Sequence, residues 1–249
     1  LLLPVAITGT INIIAALLVF RALRRTDLSL AVPMITFTLV FLMGSSYLVL
    51  GELPTAAGIA GILLIVAGAL VMQVPAGGES RDPTAPDDPT SKGPAPSPVI
   101  LRLLQRMAGD RGILLMLLVA FLYSLSLPFD KAVVLTSDAV FGSALVCLFI
   151  GGAFLGIALL RGGLRRAVPR TALTAALALG LVLAGETIAI NLAYTLQIVP
   201  YVIAVKRLSI LFSVLIGAIA FREGGIRFRA PGALVMLGGV ALIVLTTVP

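Results

Sequence analysis

Long apolar runs follow one another along this chain, separated by short polar or basic breaks. A helix needs about 20 apolar residues to cross the hydrocarbon core of a bilayer. Eight runs approach or exceed that length, at residues 3–20, 28–50, 55–74, 112–129, 139–160, 171–195, 199–220 and 230–248. None shows the strict apolar–polar alternation of a barrel strand. A helix closes its backbone hydrogen bonds within itself, as lipid requires. The pattern therefore predicts an all-α membrane protein, a multi-span helical bundle.

One stretch breaks the rhythm. Residues 75–98, PAGGESRDPTAPDDPTSKGPAPSP, are rich in Pro, Gly, Ser and Asp and lack the apolar content to pack, so they read as a disordered linker. From Val99 to Met107 the residues Val99, Leu103 and Met107 share a helical face beside Arg102 and Arg106, the pattern of a helix lying on the membrane surface. The chain divides into residues 1–74 with three spans, a connecting segment 75–111, and residues 112–249 with five spans.

A shift of 171 positions aligns the first part with the end of the last without gaps. It places Gly9 on Gly180, Ala22 on Ala193, Phe41 on Phe212, Glu52 on Glu223, Gly61 on Gly232, Leu63 on Leu234 and Gly68 on Gly239. Leucine-rich helices match by chance, but a Glu followed at fixed intervals by two glycines is a more specific coincidence. The reading that follows is of five-helix units: the second complete, the first represented by its last three helices, with ten spans expected in the full protein. The chain opens on Leu1-Leu2-Leu3-Pro4, already inside an apolar run, and is expected to continue a longer protein.

Charge refines the picture. Of the 18 Lys and Arg residues, all but Lys131, Lys206 and Arg207 fall in alternate connections: Arg21 to Arg25, Arg81 to Arg111, Arg161 to Arg170, and Arg222 to Arg229. Positively charged loops stay cytoplasmic, and Lys131 alone is left for the opposite side. Equivalent connections of the two units carry opposite bias, RALRRTD against LAYTLQI and GELPT against REGGIRFR, as inverted repeats require. The same count leaves the C-terminus on the outer side.

Composition excludes several classes. Only 12% of the 249 residues are charged and 59% are hydrophobic, whereas a soluble domain keeps roughly a quarter charged; mean hydropathy is +1.15. The net charge of +7 comes from topological clusters with no basic, aromatic-interleaved face, so no nucleic-acid partner is expected. There is no histidine, which removes the commonest general base and metal ligand. Cys147, the only cysteine, lies in an apolar run and reads as a small buried hydrophobe. No Walker A sequence is present. The chain is expected not to be an enzyme and to use no metal or cofactor.

The segment LVLGELPTAAGIAGILLIVAGALVM, residues 48–72, pairs a Gly-Glu turn with a Gly-spaced helix, and residues 204–245 hold a second copy of that arrangement. Both resemble the end of an EamA-type domain of the drug/metabolite transporter superfamily. The resemblance implies two inverted five-helix repeats enclosing a central substrate cavity, alternating access, and a place in the bacterial inner membrane. The implied activity is secondary transport of small metabolites, as an exporter. A lipid or lipid-linked-sugar flippase of the same fold and a non-transporting membrane scaffold are the alternatives. The long linker and the outward C-terminus depart from the family, whose members are drawn with both termini cytoplasmic.

Ionisable groups inside a span cost roughly 2.5–3.5 kcal/mol on insertion scales, which makes them functional candidates. Glu186 on the sixth run and Lys206 and Arg207 on the seventh are such groups. A turn near Ile198 joins the two runs, and Glu186 and Lys206 lie roughly 18 and 12 Å from it at 1.5 Å per residue, within reach of each other's side chains. They are read as binding an anionic substrate group or exchanging partners during transport, against an ion pair that only fixes register or a Lys206 that snorkels. Glu186, Tyr194 and Gln197 recur at helical spacing with Thr187 and Asn191 beside them, and Asn12 adds a polar group on the first run. That stripe suits a cavity wall, with helix–helix hydrogen bonding as the alternative. A proton is a candidate coupling ion, with Glu186 the best-placed carboxylate. Pro128 near Ser124 and Ser126, and Pro33 near Thr36 and Thr38, predict kinks. Glu52 and Glu223 are read as caps at helix starts. Gly58, Gly61, Gly68, Gly152, Gly156, Gly232 and Gly239 are read as close-packing positions.

Overall fold

The computed structural model describes residues 1–25, 28–73, 111–162, 169–220 and 226–247. The linker, the expected surface helix and Glu223 lie outside the described residues. Those described form α-helices with short connections and no strand: α1 (Leu2–Leu23), α2 (Leu28–Ile35), α3 (Thr38–Leu50), α4 (Ala56–Gln73), α5 (Arg111–Thr136), α6 (Ala139–Leu160), α7 (Arg170–Leu196), α8 (Val199–Lys206), α9 (Ser209–Ala220) and α10 (Ile226–Thr247).

Among the described residues, five segments are long and apolar enough to cross a membrane: Leu2–Leu23, Pro33–Leu50, Arg111–Thr136, Ala139–Leu160 and Arg170–Leu196. Shorter apolar stretches occupy Ala56–Met72 and Ala230–Thr246. Large apolar side chains stand on the outside, including Leu48 at 80%, Leu160 at 90% and Leu245 at 77% exposure. An apolar exterior this extensive fits a lipid solvent.

Two of the expected spans are broken. Residues 28–50 form α2 and α3 with a break at Thr36–Phe37, and residues 199–220 form α8 and α9 with a break at Arg207–Leu208. The 171-residue shift carries one break onto the other. Pro33 removes a backbone donor just before the first break. At the second, the polar pair Lys206–Arg207 interrupts the apolar run. In both breaks the helix tightens, with Thr36 N–H bonding Pro33 O at 3.1 Å and Leu208 N–H bonding Val205 O at 2.9 Å.

The fourth expected span is longer than its apolar run. Helix α5 continues to Thr136, where the two-residue turn Ser137–Asp138 begins α6. Asp138 caps α6, its carboxylate accepting from the Val140 and Phe141 amides at 2.8 and 2.7 Å. Asp130 and Lys131 therefore sit inside α5 rather than in a loop, and Lys131 is buried.

Helix α5 packs along α1, α2 and α3. Helices α4 and α10 run antiparallel at very close approach. A Cβ added at Gly61 would stand 2.7 Å from Gly239 O, and one at Gly68 would stand 2.5 Å from Gly232 O. Only glycine allows the two backbones to meet at these crossings. Gly152 and Gly156, also expected at close contacts, have no neighbouring heavy atom within 4 Å of where a Cβ would stand. The main core joins Leu39, Ile62, Ile65, Met236, Ile243, Tyr194, Tyr201 and Ile203 across α3, α4, α7, α8 and α10.

Candidate functional site

The site grows from Pro128. Proline has no N–H, so the Ser124 carbonyl one turn earlier loses its helical partner. Ser45 on α3 supplies the replacement, its hydroxyl donating to Ser124 O at 2.6 Å. The next turn of α5 presents Ser126 and Asp130 to α1. Asn12 Nδ2 donates to Ser126 Oγ at 2.6 Å, Ser126 and Thr8 share a hydrogen bond of 2.7 Å, and Thr8 Oγ1 donates to Asp130 Oδ1 at 2.5 Å. Because the Thr8 proton goes to Asp130, the Ser126 hydroxyl must donate to Thr8. The chain of donors thus runs from Asn12 to Asp130.

This network forms one wall of a cavity of about 250 Å³ whose polar lining includes Asn12, Asp130, Glu186, Thr187, Asn191, Tyr194 and Lys206. Glu186 on α7 and Lys206 at the end of α8 form an ion pair at 3.0 Å, each about half exposed. Asn191 is buried and donates to Ser143 Oγ on α6 at 2.7 Å. Tyr194 is 1% exposed, and its hydroxyl has no hydrogen-bond partner among the described residues. Cys147, expected as a buried hydrophobe, also lines the cavity and is exposed.

The remaining candidates stand elsewhere. Gln197 ends α7, and its backbone carbonyl, not its exposed side chain, accepts from Lys131 Nζ at 2.8 Å. Arg207 sits at the α8–α9 break and donates from Nη2 to Ile35 O at 2.9 Å, the carbonyl at the end of α2 beside the other break. Its Nε has no partner among the described residues.

Glu52 acts on a different helix from the one expected. Helix α4 begins at Ala56, and the carboxylate turns to α8, accepting from the first-turn amide of Val199 at 2.9 Å. The same carboxylate accepts from Ser46 Oγ at 3.0 Å and pairs with Lys131 at 2.6 Å. These contacts join the α3–α4 connection, α5 and the α7–α8 turn at one end of the bundle. Lys131, assigned from the sequence to a loop, is committed to this buried pair.

Asp130, which an apolar run ending at Phe129 places at the close of the fourth span, stands well inside α5. The signal was downstream: Asp138 followed by an apolar run is a helix start, which leaves only a two-residue turn and forces α5 to extend past Asp130. Among the described residues no group of three or more Cys, Asp or Glu side chains comes together to hold a metal ion.

A second, apolar groove lies between α7, α8 and α10. It measures about 460 Å³, is lined by Ala193, Val202, Val205 and Val244, and shares Glu186, Ile190 and Lys206 with the polar cavity. No protein-family model matches this chain, and no curated protein matches it.

Proposed function

We propose that this protein is a secondary transporter of small metabolites, an exporter of the bacterial inner membrane, in which two inverted five-helix units of EamA type work by alternating access around a midplane cavity. The observation that supports this best is the crossing of α4 and α10. The 171-residue shift makes Gly61 equivalent to Gly232 and Gly68 to Gly239. The close contacts pair Gly61 with Gly239 and Gly68 with Gly232. An exchange of that kind belongs to a two-fold axis lying across the helices, in the plane of the membrane. Units in parallel orientation would bring each glycine to its own equivalent.

Two further features support the reading. The helix breaks at equivalent positions meet through Arg207 and the Ile35 carbonyl, and irregular backbone at membrane depth belongs beside a cavity. Helix α1 packs on α5 and α6, while its equivalent α7 is exposed at every residue from Arg170 to Glu186. The reading assigns that bare face to two further helices of the first unit, making ten. With Lys131 inside the bundle, the connections at 51–55, 137–138 and 197–198 carry no Lys or Arg at all, so charge orients that end outward.

The groove beside Glu186 and Lys206 favours a second reading, a lipid or lipid-linked-sugar flippase, whose substrate enters sideways from the bilayer. Flux measurements in proteoliposomes, with metabolites inside or outside and with or without a pH gradient, separate the two. Glu186→Gln and Lys206→Ala are expected to abolish flux at normal expression; wild-type rates in both variants refute a role for the pair. Arg24→Cys and Thr195→Cys occupy equivalent positions, and labelling of both from the same side of the membrane refutes the inversion.

A further inference from the structure

Two carboxyl groups, Asp130 and Glu186, and one amine, Lys206, line the cavity. Lys206 is engaged by Glu186 at 3.0 Å, and no cation lies within ion-pair distance of Asp130 among the described residues. Thr8 donates to Asp130 Oδ1, while Oδ2 receives no hydrogen bond among them. The nearest cation in sequence, Lys131, is turned away to Glu52. Asp130 feels Lys206 only across the cavity, beyond ion-pair distance and already shared with Glu186; a carboxyl group so weakly compensated at membrane depth is costly, and its partner is then sought in what the cavity admits. The buried Tyr194 hydroxyl, on the α7 side of the cavity and without a hydrogen-bond partner among the described residues, independently marks a place where a polar ligand group is missing.

Size narrows the occupant. A site enclosing a whole drug-sized ligand measures roughly 300–1,000 Å³, and this cavity measures about 250 Å³. It houses a head and not a whole amphiphile. The apolar groove of about 460 Å³ adjoins the cavity across the shared Glu186, Ile190 and Lys206, so a chain attached to that head passes out beside the Glu186–Lys206 pair, between α7, α8 and α10. Resting on the transporter reading above, we propose that the substrate is an amphiphile with an organic ammonium head, held by Asp130 in the cavity with its apolar chain lying in the groove. Tyr194 offers its hydroxyl and ring edge to the head, and the Glu186–Lys206 pair stands at the junction where head gives way to chain. An anionic head finds its only cation already committed.

The test measures binding of octyltrimethylammonium and octyl sulfate to the full chain in nanodiscs of an uncharged glycolipid, where both probes enter the bilayer by the same chain. The ammonium is expected to bind saturably and the sulfate not. Asp130→Asn is expected to weaken ammonium binding about tenfold or more, the contribution of one charge-assisted contact. Lys206→Gln, which removes the competing cation, is expected to tighten it. These opposite signs cannot both come from misfolding. Equal binding of the two probes, or ammonium binding unchanged in both variants, overturns the proposal. Competition by phosphatidylethanolamine added to the nanodisc assigns the ammonium to a lipid headgroup, and its absence assigns it to a free amphiphile. Ammonium binding with no flux of any solute removes the transporter reading and leaves this site. Metabolite flux that octyltrimethylammonium does not inhibit removes this site and leaves the transporter.

Discussion

The Glu52–Lys131 pair is where the packing of this protein is most exposed to a single change. The two side chains are 14% and 9% exposed and 2.6 Å apart, so solvent screens them little. Breaking a buried pair from one side costs about 3–5 kcal/mol, because the remaining charge stays buried. The two halves are not equally supported. After Lys131→Met, the Glu52 carboxylate keeps the Ser46 hydroxyl and the Val199 amide, and it still faces the positive end of α8. A carboxylate there gains about 0.3–1 kcal/mol from the helix dipole. After Glu52→Gln, Lys131 keeps only the Gln197 carbonyl and an amide oxygen. Glu52→Gln is therefore expected to be the more damaging of the two, near the upper end of the range.

The double variant removes both charges, while the side-chain amide oxygen that Glu52→Gln introduces can still accept from the Val199 amide. Replacing a buried pair by neutral groups is often close to neutral, so the double variant is expected to recover most of either loss. A chain of this length loses about 2–4 °C in Tm per kcal/mol, which puts each single variant about 6–20 °C below wild type. Thermal unfolding followed by fluorescence-detected size exclusion reads all four proteins. If the double variant loses the sum of the single losses to within about 0.5 kcal/mol, the two groups do not interact and the reasoning fails.

Other outcomes follow from single contacts. Gly68→Ala puts a Cβ at 2.5 Å from the Gly232 carbonyl and must push α4 off α10, at a cost of about 1–3 kcal/mol; Gly152→Ala, with open space around it, is expected to leave Tm unchanged in the same assay. Ser45→Ala strands the Ser124 carbonyl and is expected to cost about 1–3 kcal/mol, whereas adding Pro128→Ala restores a helical donor to that carbonyl and is expected to return part of the loss in a double-mutant cycle. Asp138→Ala removes the two amide contacts that start α6, an expected loss of about 0.5–2 kcal/mol visible as faster hydrogen exchange at Val140 and Phe141.

The sequence carried the helices better than it carried their interruptions. Apolar runs marked where the described helices lie, and five described segments are long and apolar enough to span, since lipid imposes one length on any spanning element. The α2–α3 break had Pro33 as a local cause, but the α8–α9 break has no proline within it, and its only sign was Lys206–Arg207 in an apolar run. The Glu186–Lys206 approach could be anticipated because one turn joins the two helices and distances along a helix are fixed. The Lys131–Glu52 pair and the Thr8–Asp130 contact could not, since their partners lie far apart in the chain and nothing local specifies which faces of α1, α3 and α5 meet.

The placements of Asp130 and Lys131 explain each other. Consecutive positions on a helix diverge by about 100°, so neighbours of opposite charge need not neutralise one another. Here Lys131 is drawn to Glu52 at one end of the bundle, and Asp130 turns to α1 and the cavity. The adjacent charges are thus separated by the helix that carries them. Had α5 ended at Phe129, the two would cancel locally, and the cavity would hold only the balanced Glu186–Lys206 pair. The length of one helix therefore decides whether a carboxyl group outside any ion pair faces the hollow beside it, and a Lys131→Met protein that loses stability yet binds the ammonium probe as wild type does would show the two roles to be as separate as the geometry makes them.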